Sequence, residues 1–181
     1  MLRITIPGVE QWDEAKQEFI YTKEQTLSLE HSLVSVSKWE AKWHKPFLSK
    51  SDKTIEETID YVRCMTLTQN VDSQIYNYLT NDNISQVNQY IAEPMTATWI
   101  QEEKGKPTPM RKQVTSELIY YWMITLNIPM ECQKWHLNRL LMLIRVCNAE
   151  NKPRKKRSNR EILRDNARIN AERRKKWNSK G

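Results

Sequence analysis

"TSELIYYWMITLNIPMECQKWHLNRLLMLIRVCN", residues 115–148, is the most hydrophobic stretch of the chain, and its reading decides the fold class. Thr115 or Ser116 is placed to cap a first helix, which Asn127 and Pro129 interrupt. A second helix then runs to about Asn148. The break is only a few residues, so the two helices are expected as antiparallel or sharply angled neighbours. The second carries Leu137, Leu140, Leu141, Met142, Leu143, Ile144 and Val146. A helix apolar nearly all round seeks burial, so the pair reads as a core hairpin.

Working outward toward the N-terminus, the helical signals continue. "SLVSVSKWEAKW" sets Leu33, Val36, Trp39 or Glu40, and Trp43 near one face, and Pro46 stops it. "TIEETIDYVRCM" opens with a capping box, Thr54 to Glu57, and its Ile55, Ile59 and Val62 form an i, i+4, i+7 stripe. Asp72 is placed to cap "SQIYNYL". Asn83 and Gln86 are expected to cap "ISQVNQYIAE", where Ile84, Val87 and Ile91 share a face and Pro94 ends the helix. The first thirty residues differ. "LRITIP" alternates Leu2, Ile4 and Ile6 on one side, and "EFIYT" and "TLSLEHS" are further short β candidates around Gly8 and a polar connection. "MTATWI" is β-like but isolated, and "QEEKGKPTPMRKQ" reads as a surface loop. The expectation is a mainly α domain with a small N-terminal β-hairpin or sheet, over residues 1–150.

Beyond residue 150 the composition changes. Of the 29 Lys and Arg, 13 lie in residues 151–181, with only 3 of the 22 Asp and Glu, so this arm carries +10 and the body −3. Lys152-Pro153 marks a linker. "NREILRDNARINAERRKKW" has good helix formers but little apolar stripe beyond Ile162, Ile169 and Leu163, and so polar a helix is marginal alone. The arm is expected to be partly helical or disordered. Arg154, Lys155, Lys156, Arg157, Arg173 and Arg174 are its candidate phosphate contacts, should it bind nucleic acid. Its likeness to the basic region of a leucine-zipper protein is superficial, because no heptads follow.

Catalytic signatures are weak. Only 3 Gly leave no room for a Gly-rich phosphate loop and argue against a many-turned β-sandwich or barrel. Cys132 and His136 stand at i and i+4, a spacing that suits two metal ligands or a Cys–His pair, but two ligands do not make a site. A packed cysteine beside a partly exposed histidine is the simpler reading. Glu56-Glu57 and Glu102-Glu103 are adjacent pairs, which do not face each other on a helix. The hydrophobic hairpin also fails as a DNA-reading helix-turn-helix, since its second helix offers leucines where base edges need polar groups. No enzyme activity, cofactor or metal is expected. Three Cys in no staple-like spacing fit a reducing compartment. The N-terminus does not read as a signal peptide, and no apolar run approaches a membrane span.

Three stretches carry a family resemblance: "ITIPGVEQWDEAKQEFIYTKEQTLSLEHSLVSVSKWEAKWHKPF" (residues 4–47), "ELIYYWMITLNIPMECQKWHLNRLLMLIRVCN" (117–148) and "NREILRDNARINAERRKKWNSKG" (159–181). Together they resemble the tail assembly chaperones of long-tailed, siphovirus-type bacteriophages. The resemblance implies a nonstructural assembly factor that binds the tape measure protein, keeps it soluble and helps recruit tail tube subunits. It implies action in the host cytoplasm, absence from the mature virion and no catalytic set. Many members are made in two lengths by ribosomal frameshifting. A tape measure protein is expected to be long and helical with exposed apolar stripes, so its holder needs apolar grooves. Tyr121, Trp122, Met123, Trp135 and Met142 are the candidate partner contacts, against plain core packing for each. The alternative is a small nucleic-acid-binding phage protein that uses the basic arm.

Overall fold

The computed structural model describes residues 1–13, 17–98, 113–151 and 159–178. The chain divides into two units, Met1–Ala149 and Glu150–Gly181. The first is mainly helical with a small antiparallel β element, as the patterning predicts.

The β element is one long ribbon in two ladders. β1 (Leu2–Ile6) pairs with β4 (Gln25–Leu29), and β2 (Val9–Asp13) pairs with β3 (Glu18–Thr22). The register runs from Leu2 opposite Leu29 to Ile6 opposite Gln25, then from Val9 opposite Thr22 to Asp13 opposite Glu18. Each pair sums alike, so the register never slips across the gap. The gap falls at Pro7-Gly8, where proline has no N–H to give a ladder. β2 has no alternation of its own to announce it, and its pairing with the predicted β3 places it. Ile4, Ile6, Leu27 and Leu29 share the inward face and are buried, as period-2 alternation requires.

The end of β4 is stitched into the helices by backbone bonds. Glu30 N–H donates to the Met65 carbonyl at 3.0 Å and Leu67 N–H to the Ser28 carbonyl at 2.8 Å. Leu137 N–H donates to the His31 carbonyl at 2.7 Å. The ribbon therefore joins the end of α2 (Ile55–Met65) to the start of α5 (Leu137–Glu150).

α1 (Leu33–Trp43) is capped by Ser32 and ends at His44, which takes φ 54° before Pro46. α2 begins with the predicted box: Glu57 N–H donates to Thr54 Oγ1 at 3.2 Å, and Thr54 N–H to Glu57 Oε2 at 2.8 Å. Its buried face differs from the expected stripe. Ile55 is 80% exposed, while Tyr61, Val62 and Met65 are buried with Glu57. The box turns Glu57 inward, where its carbonyl accepts the Trp39 indole N–H and its carboxylate meets Lys45. Ile55, two positions earlier and so about 200° round the helix, falls on the outer side.

A 3-10 turn at Ser73–Tyr78 is capped by Asp72, whose Oδ1 accepts Gln74 N–H at 3.0 Å. α3 (Asn81–Ala92) starts earlier than predicted. Thr80 is its cap, and Asn83 is the third residue of the box instead of the cap. Asn83 Nδ2 also donates to the Thr5 carbonyl at 3.2 Å, tying α3 to β1. The β-like "MTATWI" forms no strand over residues 95–98, and Trp99, Ile100 and the loop residues 101–112 lie outside the described residues.

The hydrophobic pair differs from a tight hairpin. α4 (Ser116–Thr125) packs mainly on α1. Asn127 turns the chain at φ 53°, and a 3-10 segment, Met130–Lys134, follows. His136 then sits in an extended bridge opposite Ser32 before α5 begins. Cys132 and His136 therefore do not share a helix face, and His136 is buried, not partly exposed. Thr115 holds the predicted N-cap position of α4, but its side chain makes no capping bond. The Glu40 carboxylate caps the helix from α1, accepting Ser116 N–H at 2.7 Å and Phe47 N–H at 2.8 Å.

The second unit contains α6 (Asn159–Trp177), a 19-residue helix whose described side chains are exposed except for the half-buried Asp165.

Candidate functional site: an apolar groove between α4 and α5

Ile119 and Met123 of α4, at i and i+4, face the core and are wholly buried. Trp122 stands one position round the helix and is half-buried. On α5 the core face is Leu137, Leu140 and Ile144, at i, i+3 and i+7. Leu141, Arg145 and Asn148 form the strip beside it. Because α4 leans on α1, these two flanks do not close on each other. They line a groove of about 760 Å³ with Leu48–Lys50 and Gln113-Val114 at its margins.

Leu48, Val114, Trp122, Leu141 and Ile144 are its apolar lining, and Lys50 and Arg145 are its charged residues. Among the described residues no carboxylate lines it. The volume lies within the ~300–1,000 Å³ range of sites that enclose a ligand. An apolar trough beside a two-helix seam suits side chains recurring at i, i+3, i+4 and i+7 on an incoming helix.

Of the five predicted contacts, Trp122 lines this groove. Met123 is wholly buried in the core, so it packs α4 and presents no surface. Tyr121 is 61% exposed. Trp135 is half-buried beneath the Arg139 guanidinium, 4.2 Å from its ring centre. Met142 is half-buried on α5. Neither Tyr121, Trp135 nor Met142 lines the groove. Leu48, Lys50, Val114 and Arg145 escaped the sequence reading, and so did the role of Leu141 and Ile144. The one signal present was the 141, 144, 145, 148 strip, whose i, i+3, i+4, i+7 spacing marks a helix flank.

Of the predicted phosphate contacts, Arg154, Lys155, Lys156 and Arg157 lie outside the described residues. Arg173 and Arg174 lie on α6. Consecutive residues of a helix point about 100° apart, so these two serve different faces.

Apart from the Ser116 hydroxyl, which is buried with no hydrogen-bond partner, the buried polar side chains among the described residues of the first unit are occupied in holding the fold. Glu57 bonds Lys45 at 2.6 Å, and that bond with the Thr54 N–H holds its carboxyl below the usual carboxylate range. Asp60 accepts from Lys42 and from the Trp43 indole N–H. Cys64 is half-buried, and burial pushes its thiol pKa up, which opposes the thiolate a nucleophile needs. Two histidines meet in the core, their ring centres 5.1 Å apart. His136 Nε2 donates to the Tyr90 carbonyl and its Nδ1 accepts Asn138 N–H. His31 Nδ1 shares a hydrogen bond with the Tyr61 hydroxyl, and burial, with the neighbouring His136, lowers its pKa to about 3. This cluster ties the β4–α1 corner to α2, α3 and α5. Among the described residues no three His, Cys, Asp or Glu converge as metal ligands, and no helix is long and apolar enough to cross a membrane.

No protein-family model, curated protein or solved structure matches the chain.

Proposed function

We propose that this protein is a tail assembly chaperone of a long-tailed phage, acting by binding and without catalysis. Its α4–α5 groove takes amphipathic helices of the tape measure protein, shields their apolar stripes in the host cytoplasm and delivers them to tail tube subunits. It leaves before the virion is complete. The observation that carries this reading is the open apolar groove flanked by Trp122, Leu141 and Ile144. A tightly closed core hairpin would offer a helical client nothing to dock on. The sequence resemblance across residues 4–47, 117–148 and 159–181 supplies the identity of the client. The buried carboxylates and histidines are engaged with structural partners, which leaves binding as the work of the surface.

Co-expression with the tape measure protein of the same phage tests the reading. The wild-type chain is expected to raise that protein's solubility and to co-purify with it. Leu141→Glu places a charge in the groove on a half-buried position and is expected to abolish co-purification, with far-UV circular dichroism checking that the chain stays folded. Unchanged tape measure solubility with the wild-type chain would overturn the proposal. Full retention of binding by Leu141→Glu would overturn the groove as its site.

A further inference from the structure

We propose that α6 is a phosphate-tracking helix whose arginine face takes the sugar-phosphate backbone of nucleic acid. This does not rest on the chaperone reading, since it uses a different unit of the chain. Each residue of an α-helix is turned by about 100° from the last. On that wheel Arg160, Arg164, Arg168, Arg174 and Lys175 fall within one arc of about 120°, with only Ala167 and Ala171 between them. All seven are exposed. By position no acidic residue falls inside the arc. Glu161, Glu172 and Asp165 follow on one adjoining side, with Ile162 and Ile169 beyond them, and Leu163 stands at the other edge beside Arg174.

Three features favour a polyanion as occupant. Arg160, Arg164 and Arg168 stand at i, i+4 and i+8, so they repel each other along the free helix, and a line of negative charge relieves that repulsion. The alanines let the helix backbone come close to its partner. The arc contains no aromatic or large aliphatic residue, the kind of anchor that dominates protein–protein contacts. Nineteen residues of helix span about 28 Å, and a duplex offers one phosphate per roughly 1.7 Å of its axis. The guanidinium forks match phosphate oxygens in bidentate pairs.

The test uses the full-length protein and fluorescence anisotropy on labelled 20-base-pair duplexes of DNA and of RNA, from 50 to 200 mM salt. With four or five phosphates neutralised, the slope of log affinity on log salt is expected to be about −4, a loss of roughly 100- to 500-fold over that range. Either duplex binding in this way supports the proposal, and the tighter one identifies the source of the phosphates. Arg164→Gln with Arg168→Gln is expected to flatten the slope by about 2. Arg173→Gln with Lys176→Gln removes the same charge from outside the arc and is expected to leave the slope near wild type. Glutamine is a good helix former, and far-UV circular dichroism checks that both pairs keep the helix. No binding at 50 mM salt overturns the proposal, and equal losses in the two double variants do so too. So does polyglutamate competing as well as either duplex, which would assign the face to an acidic protein.

Discussion

The histidine pair in the core makes stability depend on pH in a way the structure lets one calculate. His31 is 1% exposed, and its Nδ1 is hydrogen-bonded to the Tyr61 hydroxyl. Its pKa falls from 6.5 to about 3, first because burial penalises the charged ring and then because His136 lies beside it. A depressed histidine pKa means that the unfolded chain takes up the proton first. Between about pH 6.5 and pH 3 the unfolded state therefore binds more protons, and stability is lost as pH falls. Each unit in that window is worth about 1.4 kcal/mol. Moving from pH 8 to pH 5 should remove about 2 kcal/mol through this one ring. The perturbation that isolates it is His31→Asn, whose amide keeps a hydrogen-bonding group near the Nδ1 position but does not titrate. Urea unfolding followed by tryptophan fluorescence at pH 8 and pH 5 gives the stability of both chains. The variant is expected to be less stable at pH 8, because a smaller side chain leaves a void. It should nevertheless lose about 2 kcal/mol less than wild type on acidification. Carboxylates such as Glu57 titrate in both chains, so their share cancels in the difference. Equal acid losses in the two chains would refute the reasoning.

Three further outcomes follow from the packing. Glu40→Gln should lower stability by about 1–3 kcal/mol and speed amide exchange at Ser116, because one of two buried N–H groups then faces an amide instead of a carboxylate oxygen. Thr54→Ala should cost about 1 kcal/mol in urea unfolding through loss of the α2 cap. Ile55→Ala should change stability by less than about 0.5 kcal/mol, whereas Met123→Ala should cost about 2–5 kcal/mol, a contrast read directly from their 80% and 0% exposures by thermal melts.

Much of the fold was legible because its causes are local. The Thr54–Glu57 box and the Asp72 cap join residues two or three apart. The alternation of Leu2, Ile4 and Ile6 is likewise a local pattern, and all three residues lie in β1. The shift of basic charge to residues 151–181 is a matter of composition. Where the reading of residues differed from the structure, the cause was in most cases distant in sequence. The α3 cap is an exception: the Thr80–Asn83 box is as local as the one at Thr54, and Asn83 Nδ2 bonds Thr5, 78 residues away, in addition. The face of α2 followed Trp39 and Lys45 to Glu57, not the spacing of its isoleucines.

The groove shows the same division. Trp122 could be picked out as a large apolar residue, but Leu48, Val114 and Leu141 come from three separate segments that only packing brings together. The sequence by itself determined the helical class, the presence of a small N-terminal β element, the Thr54–Glu57 and Asp72 caps and the segregation of charge, since these depend on neighbours within a turn or on simple counts. The buried face of α1 followed its sequence pattern, but only the tertiary structure decided which face of α2 is buried and that Glu40 caps a helix 76 residues away. It also decided that His136 is enclosed, and that α4 leans on α1 and leaves its flank open toward α5. These outcomes depend on which surfaces exclude water together, and no window of the chain contains both partners.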